Sequence, residues 1–218
     1  MKTEIHIFDV DHTLVNGSSG RHFIVSSIKE GVLPATVLLS LPFVYLRYRL
    51  GILKPSHINR ELPQVKGVDR ATLDRIAELT FRKRLEPAIF SDAVQYLQEL
   101  QKNDNEIAIA TSSVDIIIAP LAERLAISTI ISSSMEFDDG NRCTGRFIDS
   151  PVFGEAKRIK VLAFLKERGI DPESCAFYSD SVYDLPLLQV IGKPVAVNPD
   201  YLLKRHAKRE GWEIMAFS

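Results

Sequence analysis

The chain of 218 residues has the composition of a globular protein, with 45% hydrophobic residues, 25% charged residues and a formal net charge of −1. This composition excludes a disordered chain, a collagen-like repeat and a disulfide-stapled miniprotein. The near-neutral net charge shows no overall excess of basic residues of the kind that nucleic-acid-binding proteins carry. Two cysteines, Cys143 and Cys175, give neither a disulfide framework nor paired metal-ligand spacing. We therefore expect a cytoplasmic protein, larger than one domain of roughly 150 residues, that does not bind nucleic acid.

The first predicted element is a buried strand. Residues 5–10 form a short apolar run rich in β-branched residues, and Asp9 lies at its end. Further strands are predicted at 106–110, 175–178 and 195–197, and helices at 91–101, 114–125, 155–168 and 185–190. Ligands bind at the carboxyl ends of parallel strands, where Asp9, Thr111 and Asp180 are expected to close their strands. Residues 135–148, centred on Asp-Gly, predict a hairpin.

Residues 16–86 interrupt this alternation of strands and helices. They show helical periodicity, clearest over 71–85, and no strand pattern. Positions 17–86 carry 12 Lys and Arg against 6 Asp and Glu, whereas the rest carries 15 against 22. We predict an α/β fold with a three-layer, Rossmann-like parallel sheet core at 1–15 and 87–218, interrupted by an all-helical cap domain at 16–86.

One apolar stretch, 32–46, runs for fifteen residues without a charge and contains Pro34 and Pro42. A membrane-spanning helix needs about 20 apolar residues. The stretch is therefore expected to be buried or interfacial, and not to span a membrane.

Residues 9–14, Asp-Val-Asp-His-Thr-Leu, resemble the first motif of the haloacid dehalogenase-like (HAD) superfamily, Asp-x-Asp-x-Thr followed by Leu or Val. Thr111 resembles the second motif, and Lys157, which opens a predicted helix, resembles the third. Residues 179–184, Ser-Asp-Ser-Val-Tyr-Asp, resemble the acidic fourth motif with Ser179 in place of the usual glycine. The four motifs stand in the family order over most of the chain.

Weaker motifs extend the resemblance to subfamily IB, the phosphoserine phosphatase-like hydrolases with a helical C1 cap. These motifs lie at 48–51, 139–140, 144–146, 154–157, 196–199 and 211–212. Members hydrolyse phosphoserine, histidinol phosphate or phosphatidylglycerophosphate. The resemblance therefore implies a phosphatase without fixing its substrate.

In the family pattern, Asp9 attacks the phosphomonoester and becomes an aspartyl-phosphate, while Asp11 protonates the leaving oxygen and later deprotonates water. A carboxylate repels an anionic substrate, so the attack needs a cation, and Mg²⁺ prefers oxygen ligands. The implied metal ligands are the carboxylates of Asp9 and Asp180 and the backbone carbonyl of Asp11. Asp184, one helical turn further on, is expected to hold a metal-bound water or Lys157.

The resemblance also implies a phosphate-binding site. Thr111 offers a hydroxyl and neighbouring amides near a helix N-terminus, Lys157 offers a positive charge, and Ser112 replaces Thr111 if the register shifts by one. The same residues have ordinary structural interpretations, as a solvated helix lysine for Lys157 and as helix caps for Thr111 and Asp184. His12 is expected to fill space and not to catalyse.

The cap is expected to select the leaving group. Phosphoserine phosphatases carry an acidic residue shortly after the first motif, but residues 16–20 here contain none. The cap cations to test are Arg21, His22, Arg47 and Arg49, whose alternative role is a solvated surface. The expected substrate is a small phosphorylated metabolite, phosphoserine-like or histidinol-phosphate-like. The alternatives are a phospholipid head group on an anionic bilayer surface, a non-catalytic phosphate-binding regulatory module and, third, a mutase.

Overall fold

A computed structural model describes residues 5–39, 43, 46, 47 and 62–218. The strands are β1 Ile5–Phe8, β2 Glu106–Val114, β3 Thr129–Ser133, β4 Met135–Phe137, β5 Cys143–Phe147, β6 Cys175–Ser179, β7 Lys193–Val197 and β8 Glu213–Met215. Six of them form a central parallel sheet of order β3-β2-β1-β6-β7-β8, and β4 and β5 form an antiparallel hairpin beside it.

Helices cover both faces of this sheet because successive side chains of each strand enter different cores. Ile5 and Ile7 of β1 lie in one hydrophobic cluster, whereas Phe8 lies in the other. The helices are α1 Ser19–Lys29, α2 Arg70–Thr80, α3 Ser91–Lys102, α4 Asp115–Arg124, α5 Glu155–Glu167, α6 Leu185–Leu188 and α7 Tyr201–Glu210. Strands buried on both faces read as continuous apolar runs, which is why the sequence predicts the α/β class correctly.

The predicted strand end at Thr111 is wrong. β2 continues to Val114, and its register against β3 shifts between Ala110 and Val114, where Val114 pairs with Ser133. The chain therefore passes Thr111 in an extended conformation, because β3 still offers a pairing edge after β1 has ended. Strands β3 and β8 and helix α7 were not predicted from the sequence.

The described part of 16–86 is helical. The helix expected at 71–85 is α2 followed by a π-helical turn, Phe81–Leu85. Side chains of α1 and α2, such as Phe23 and Ile76, belong to the same hydrophobic cluster as Leu121 of α4. Because one cluster joins them, the division into a core and a cap remains a prediction.

The apolar stretch 32–46 is exposed at the residues that the structure describes near its end. Leu33 is buried, but Leu39 is 82% exposed and Phe43 62%, and Leu38 and Leu46 are also exposed. The short 3₁₀ helix Ala35–Leu39 buries none of its residues. Of the two expected alternatives, burial is therefore wrong for these four side chains, whereas an interfacial position remains a prediction. No helix among the described residues is long and apolar enough to cross a membrane.

Candidate active site

The first motif forms a tight loop at the end of β1. The carbonyl of Val10 accepts the backbone N–H groups of Thr13, Leu14 and Val15. His12 adopts a φ of +58°, in the left-handed region that disfavours residues with a side chain. Histidine is one of the residue types that enter this region more often than most, and the space-filling role of His12 remains a prediction.

Lys157 connects the first and fourth motifs through two ion pairs. Its Nζ donates to Oδ1 of Asp9 at 2.9 Å and to Oδ2 of Asp184 at 2.7 Å. The lysine is only 1% exposed, which excludes the solvated helix lysine. Lys157 lies in the first turn of α5, after Gly154, whose φ of +56° turns the chain into the helix.

The charges of this cluster shift the titration of its members. The pKa of Asp9 is raised to about 7. Burial is the largest cause, the charge and hydrogen bond of Lys157 act against it, and the charges of Asp184 and Asp11 add to the rise. Burial lowers the pKa of Lys157, but Asp184 and Asp9 more than offset this, so the net shift is upward and the ammonium stays charged.

Asp180 shows the clearest need for a cation. Both of its carboxylate oxygens are buried and have no hydrogen-bond partner among the residues that the structure describes. Burial raises the pKa of Asp180 well above its ordinary value, and the charges of Asp9, Asp184, Asp200 and Asp11 add to the shift. A buried carboxylate without a partner is costly, and a divalent ion would satisfy it.

The described residues contain no cluster of three or more His, Cys, Asp or Glu side chains arranged as a metal cage. The donor set expected from the family needs fewer side chains, because it consists of two carboxylates, one backbone carbonyl and water. Mg²⁺ commonly binds in this way, through one or two carboxylates with several retained waters. The orphaned oxygens of Asp180 therefore fit a magnesium ion.

Asp184 is held as a partner of Lys157 and not as a helix cap. It occupies the N-cap position of α6, but its side chain makes no capping hydrogen bond. Instead, its Oδ2 accepts the hydroxyl of Ser179 at 2.7 Å as well as the ammonium of Lys157. The serine in the usual glycine position thus orients this carboxylate.

Thr111 is buried at the expected phosphate site. Its Oγ1 accepts the backbone N–H of Ser113 at 3.2 Å, which leaves the hydroxyl proton available for another acceptor. Thr111 is not the cap of α4, since Val114 occupies that position. Ser112 is exposed, and its carbonyl accepts the hydroxyl of Ser133. Of the two predicted candidates, Thr111 is the better placed hydroxyl.

The cap cations lie in different environments. Arg21 is exposed, and Arg49 lies outside the described residues. His22 is half-buried with its ring against Gly17, and burial lowers its pKa, as do the nearby charges of Arg84 and Arg21. The sequence interpretation did not single out Arg84, which stands on the π-helical turn and is half-buried.

Arg47 lies beside the fourth motif. Its backbone carbonyl accepts the hydroxyl of Tyr183, the neighbour of Asp184, at 3.5 Å. Its guanidinium lies over the ring of Phe43, 5.6 Å from the centroid. The hydrogen bond from Tyr183 therefore places the backbone of Arg47, one of the four predicted cap cations, next to the fourth motif.

Asp200 is a site residue that the sequence interpretation missed. Its Oδ2 accepts the N–H of Val182 at 2.9 Å, and its own N–H donates to the carbonyl of Asp180 at 2.7 Å. Its Oδ1 accepts the N–H of Leu203 and so caps α7. An Asp after Asn-Pro and before an apolar helical run is a recognisable N-cap signal. Asp200 therefore fixes the loop that carries Asp180.

A comparison with known proteins agrees with this geometry. Residues 7–189 match the sequence model of the haloacid dehalogenase-like hydrolases. The chain belongs to this family. It is 31% identical over 216 residues to a histidinol-phosphatase of Neisseria meningitidis serogroup C (strain 8013), with 97% of each chain covered. The prediction of the family is thereby confirmed, and so is the prediction that the chain is an enzyme of the phosphatase group.

Solved structures support the same fold. A protein of unknown function from Bordetella pertussis Tohama I superposes with a TM-score of 0.83 at 26% identity, covering 99% of both chains. A substrate-bound phosphoserine phosphatase superposes with a TM-score of 0.71 at 18% identity, covering 99% of this chain and 93% of the other. The predicted fold class is confirmed.

The ion pairs of Lys157 predict a large cost for its removal. Lys157→Met leaves Asp9 and Asp184 buried without a positive partner, so we expect the free energy of unfolding to fall by about 3 kcal/mol. The measurement is urea denaturation at pH 7 with EDTA. The matched control is Lys160→Met on the same helix, where Lys160 lies 3.5 Å from an exposed Asp149, with an expected loss below about 1 kcal/mol. Equal losses in the two variants would contradict the assignment.

Proposed function

We propose that the chain is a Mg²⁺-dependent phosphomonoester hydrolase with Asp9 as its nucleophile and Asp11 as its general acid and base. The observation that carries the proposal is the juxtaposition of two buried carboxylates. Asp9 is bonded to Lys157, and Asp180, with both oxygens unpaired, follows the strand next to that of Asp9. This arrangement suits an anionic substrate only when a further cation is present.

The reaction takes two steps on Asp9. A carboxylate oxygen of Asp9 forms a bond to phosphorus as the ester P–O bond breaks, and the leaving oxygen takes a proton from Asp11. The alcohol leaves, and water then forms a bond to phosphorus as the P–O bond to Asp9 breaks, while Asp11 takes a proton from the water. Phosphate leaves last, and both aspartates return to their starting forms.

Lys157 and Thr111 have supporting roles in this reaction. The Lys157 ammonium is already bonded to the attacking carboxylate, so it fixes the orientation of Asp9 and lies where the phosphoryl group arrives. The Thr111 hydroxyl, whose oxygen accepts the N–H of Ser113, can donate its hydrogen to a phosphoryl oxygen. Both residues thus place positive charge or a hydrogen-bond donor against the developing negative charge.

The carboxylates of Asp9 and Asp180 and the backbone carbonyl of Asp11 would hold the magnesium ion. When bound, the ion supplies the positive charge that lets one anion approach another. Asp184 and Asp200 are left to fix Lys157 and the Asp180 loop, as their hydrogen bonds indicate.

The proposed substrate is a small phosphorylated metabolite. The histidinol-phosphatase of Neisseria meningitidis is a relative over nearly the whole length of both chains, which supports a small substrate of this kind. Residues 16–20 lack the acid that grips the amine of phosphoserine in the resembling enzymes, whereas His22 lies near the charges of both Asp11 and Arg84. We assign these cap residues to contact with the leaving group.

The proposal predicts phosphate release from p-nitrophenyl phosphate that requires both a divalent ion and Asp9. Asp9→Asn is expected to abolish turnover, since an amide is a poor nucleophile, and EDTA is expected to abolish it until Mg²⁺ is restored. Phosphate release is the measurement, and Asp171→Asn, a change outside the cluster that removes a helix-capping carboxylate, is the control for substitution. Full activity of Asp9→Asn, or activity that EDTA leaves unchanged, contradicts the mechanism.

A phospholipid phosphatase acting at a bilayer surface is the second candidate function. The exposed Leu39 and Phe43 favour it, because they lie in the stretch that leads to Arg47, and Arg47 contacts the fourth motif through Tyr183. An apolar surface with basic residues is suited to an anionic bilayer.

This second candidate predicts flotation with phosphatidylglycerol vesicles at low salt, weaker flotation with phosphatidylcholine vesicles, and loss of flotation in Phe43→Asp. Ile159→Asp is the matched control, because Ile159 is similarly exposed, at 57%, on α5. No flotation of the wild type at low salt removes this candidate and leaves the soluble substrate.

A further inference from the structure

The first residue of α1 links two parts of the candidate site. The backbone N–H of Ser19 donates to Oδ1 of Asp11 at 2.9 Å, and the Ser19 hydroxyl donates to the Ser113 hydroxyl at 2.9 Å. The backbone N–H of Ser113 donates in turn to Oγ1 of Thr111. Two hydrogen bonds in series therefore join the loop after β1 to Ser113 near the end of β2, and the third continues along the strand to Thr111.

The Ser19 hydroxyl is not explained by helix capping. Ser18 is the N-cap of α1, and its hydroxyl accepts the N–H of Arg21. Ser19 is fully buried, so its hydroxyl needs a partner inside the protein, and it finds that partner on β2. The pair of serines therefore connects the start of α1 to a different element, across 94 positions of sequence.

The contact with Asp11 has a consequence for proton transfer. A free carboxylate exchanges its two oxygens by rotation, but the bond from Ser19 engages Oδ1 and leaves Oδ2 to exchange a proton with the substrate. That arrangement lasts only while the start of α1 stays against the end of β2. The Ser19–Ser113 hydrogen bond is a buried polar contact that links the two at this point.

We propose that Ser19 and Ser113 form a positioning pair, which orients Asp11 for proton transfer and makes that orientation depend on the docking of α1 against β2. The inference rests on the proposed function, since it concerns the acid and base of that reaction. Neither serine exchanges a proton with the substrate, and both act through Asp11.

The test compares two leaving groups. 4-Nitrophenolate is weakly basic and leaves with little need of a proton, whereas the alkoxide of glycerol 2-phosphate must be protonated as it leaves. Ser113→Ala removes the partner of Ser19 without altering the Ser19 N–H. We expect it to lower kcat/KM for glycerol 2-phosphate by about tenfold and kcat/KM for p-nitrophenyl phosphate by much less. Because kcat/KM covers only the steps up to the loss of the leaving group, the base role of Asp11 in the second step does not enter this comparison.

Three further variants separate positioning from general damage. Ser113→Thr keeps the hydroxyl and is expected to restore kcat/KM for glycerol 2-phosphate. Ser128→Ala replaces an exposed serine before β3 and is the control for the substitution itself. If Ser113→Ala does not fold, as judged by thermal unfolding, Ser113→Cys replaces it, because a thiol has similar size and is a weak hydrogen-bond partner.

The decisive experiment places Ser113→Ala in an Asp11→Asn background. If Ser113 acts through Asp11, the second substitution costs nothing further on glycerol 2-phosphate, since the group that it orients is already lost. A further tenfold loss in that background, or equal losses on both substrates in the single variant, overturns the inference. Failure of the proposed function looks different, because the wild type then releases no phosphate or Asp9→Asn remains active.

Discussion

The structure depends on the burial of three carboxylates around one ammonium. Asp9, Asp180 and Asp184 are nearly inaccessible to solvent, and the single Lys157 bonds to two of them. Buried charges of one sign repel each other and lose hydration, so this cluster is stable only with additional positive charge or protons. A bound anionic substrate would add negative charge and so increase the need for positive charge at the cluster. A divalent ion bound at this cluster would offset the same imbalance that weakens the folded chain.

The fold resolves this imbalance by bringing one residue from each of several elements to one edge of the sheet. Phe8 of β1 pairs with Ile109 of β2 and Tyr178 of β6, so the residues that follow these three positions along the chain come together. Flanking helices then add single contacts. α5 contributes Lys157, the N-cap of α7 fixes the loop of Asp180, and the first residue of α1 bonds to Asp11.

The sequence predicts those residues that belong to a local sequence pattern, such as an apolar strand or a short motif. Short apolar runs predict four strands of the sheet. Four motifs in the family order predict the family and the candidate site residues Asp9, Thr111, Lys157 and Asp180. Contacts between distant elements escape such patterns. The Ser19–Ser113 bond joins residues 94 positions apart, and the exposure of Leu39 depends on whether another element covers it. The extension of β2 past Thr111 is likewise set by its neighbour β3, which the sequence did not reveal.

We propose that the carboxylate of Asp180, which has no hydrogen-bond partner in the described part of the chain, needs a divalent cation. The most direct measurement is the thermal unfolding temperature with and without millimolar Mg²⁺, at constant ionic strength, for the wild type and for Asp180→Asn. A ligand that binds the folded state raises the unfolding temperature. We predict that Mg²⁺ raises it in the wild type and that Asp180→Asn loses most of this rise. An unfolding temperature that Mg²⁺ leaves unchanged in the wild type, or raises equally in both proteins, would contradict the account.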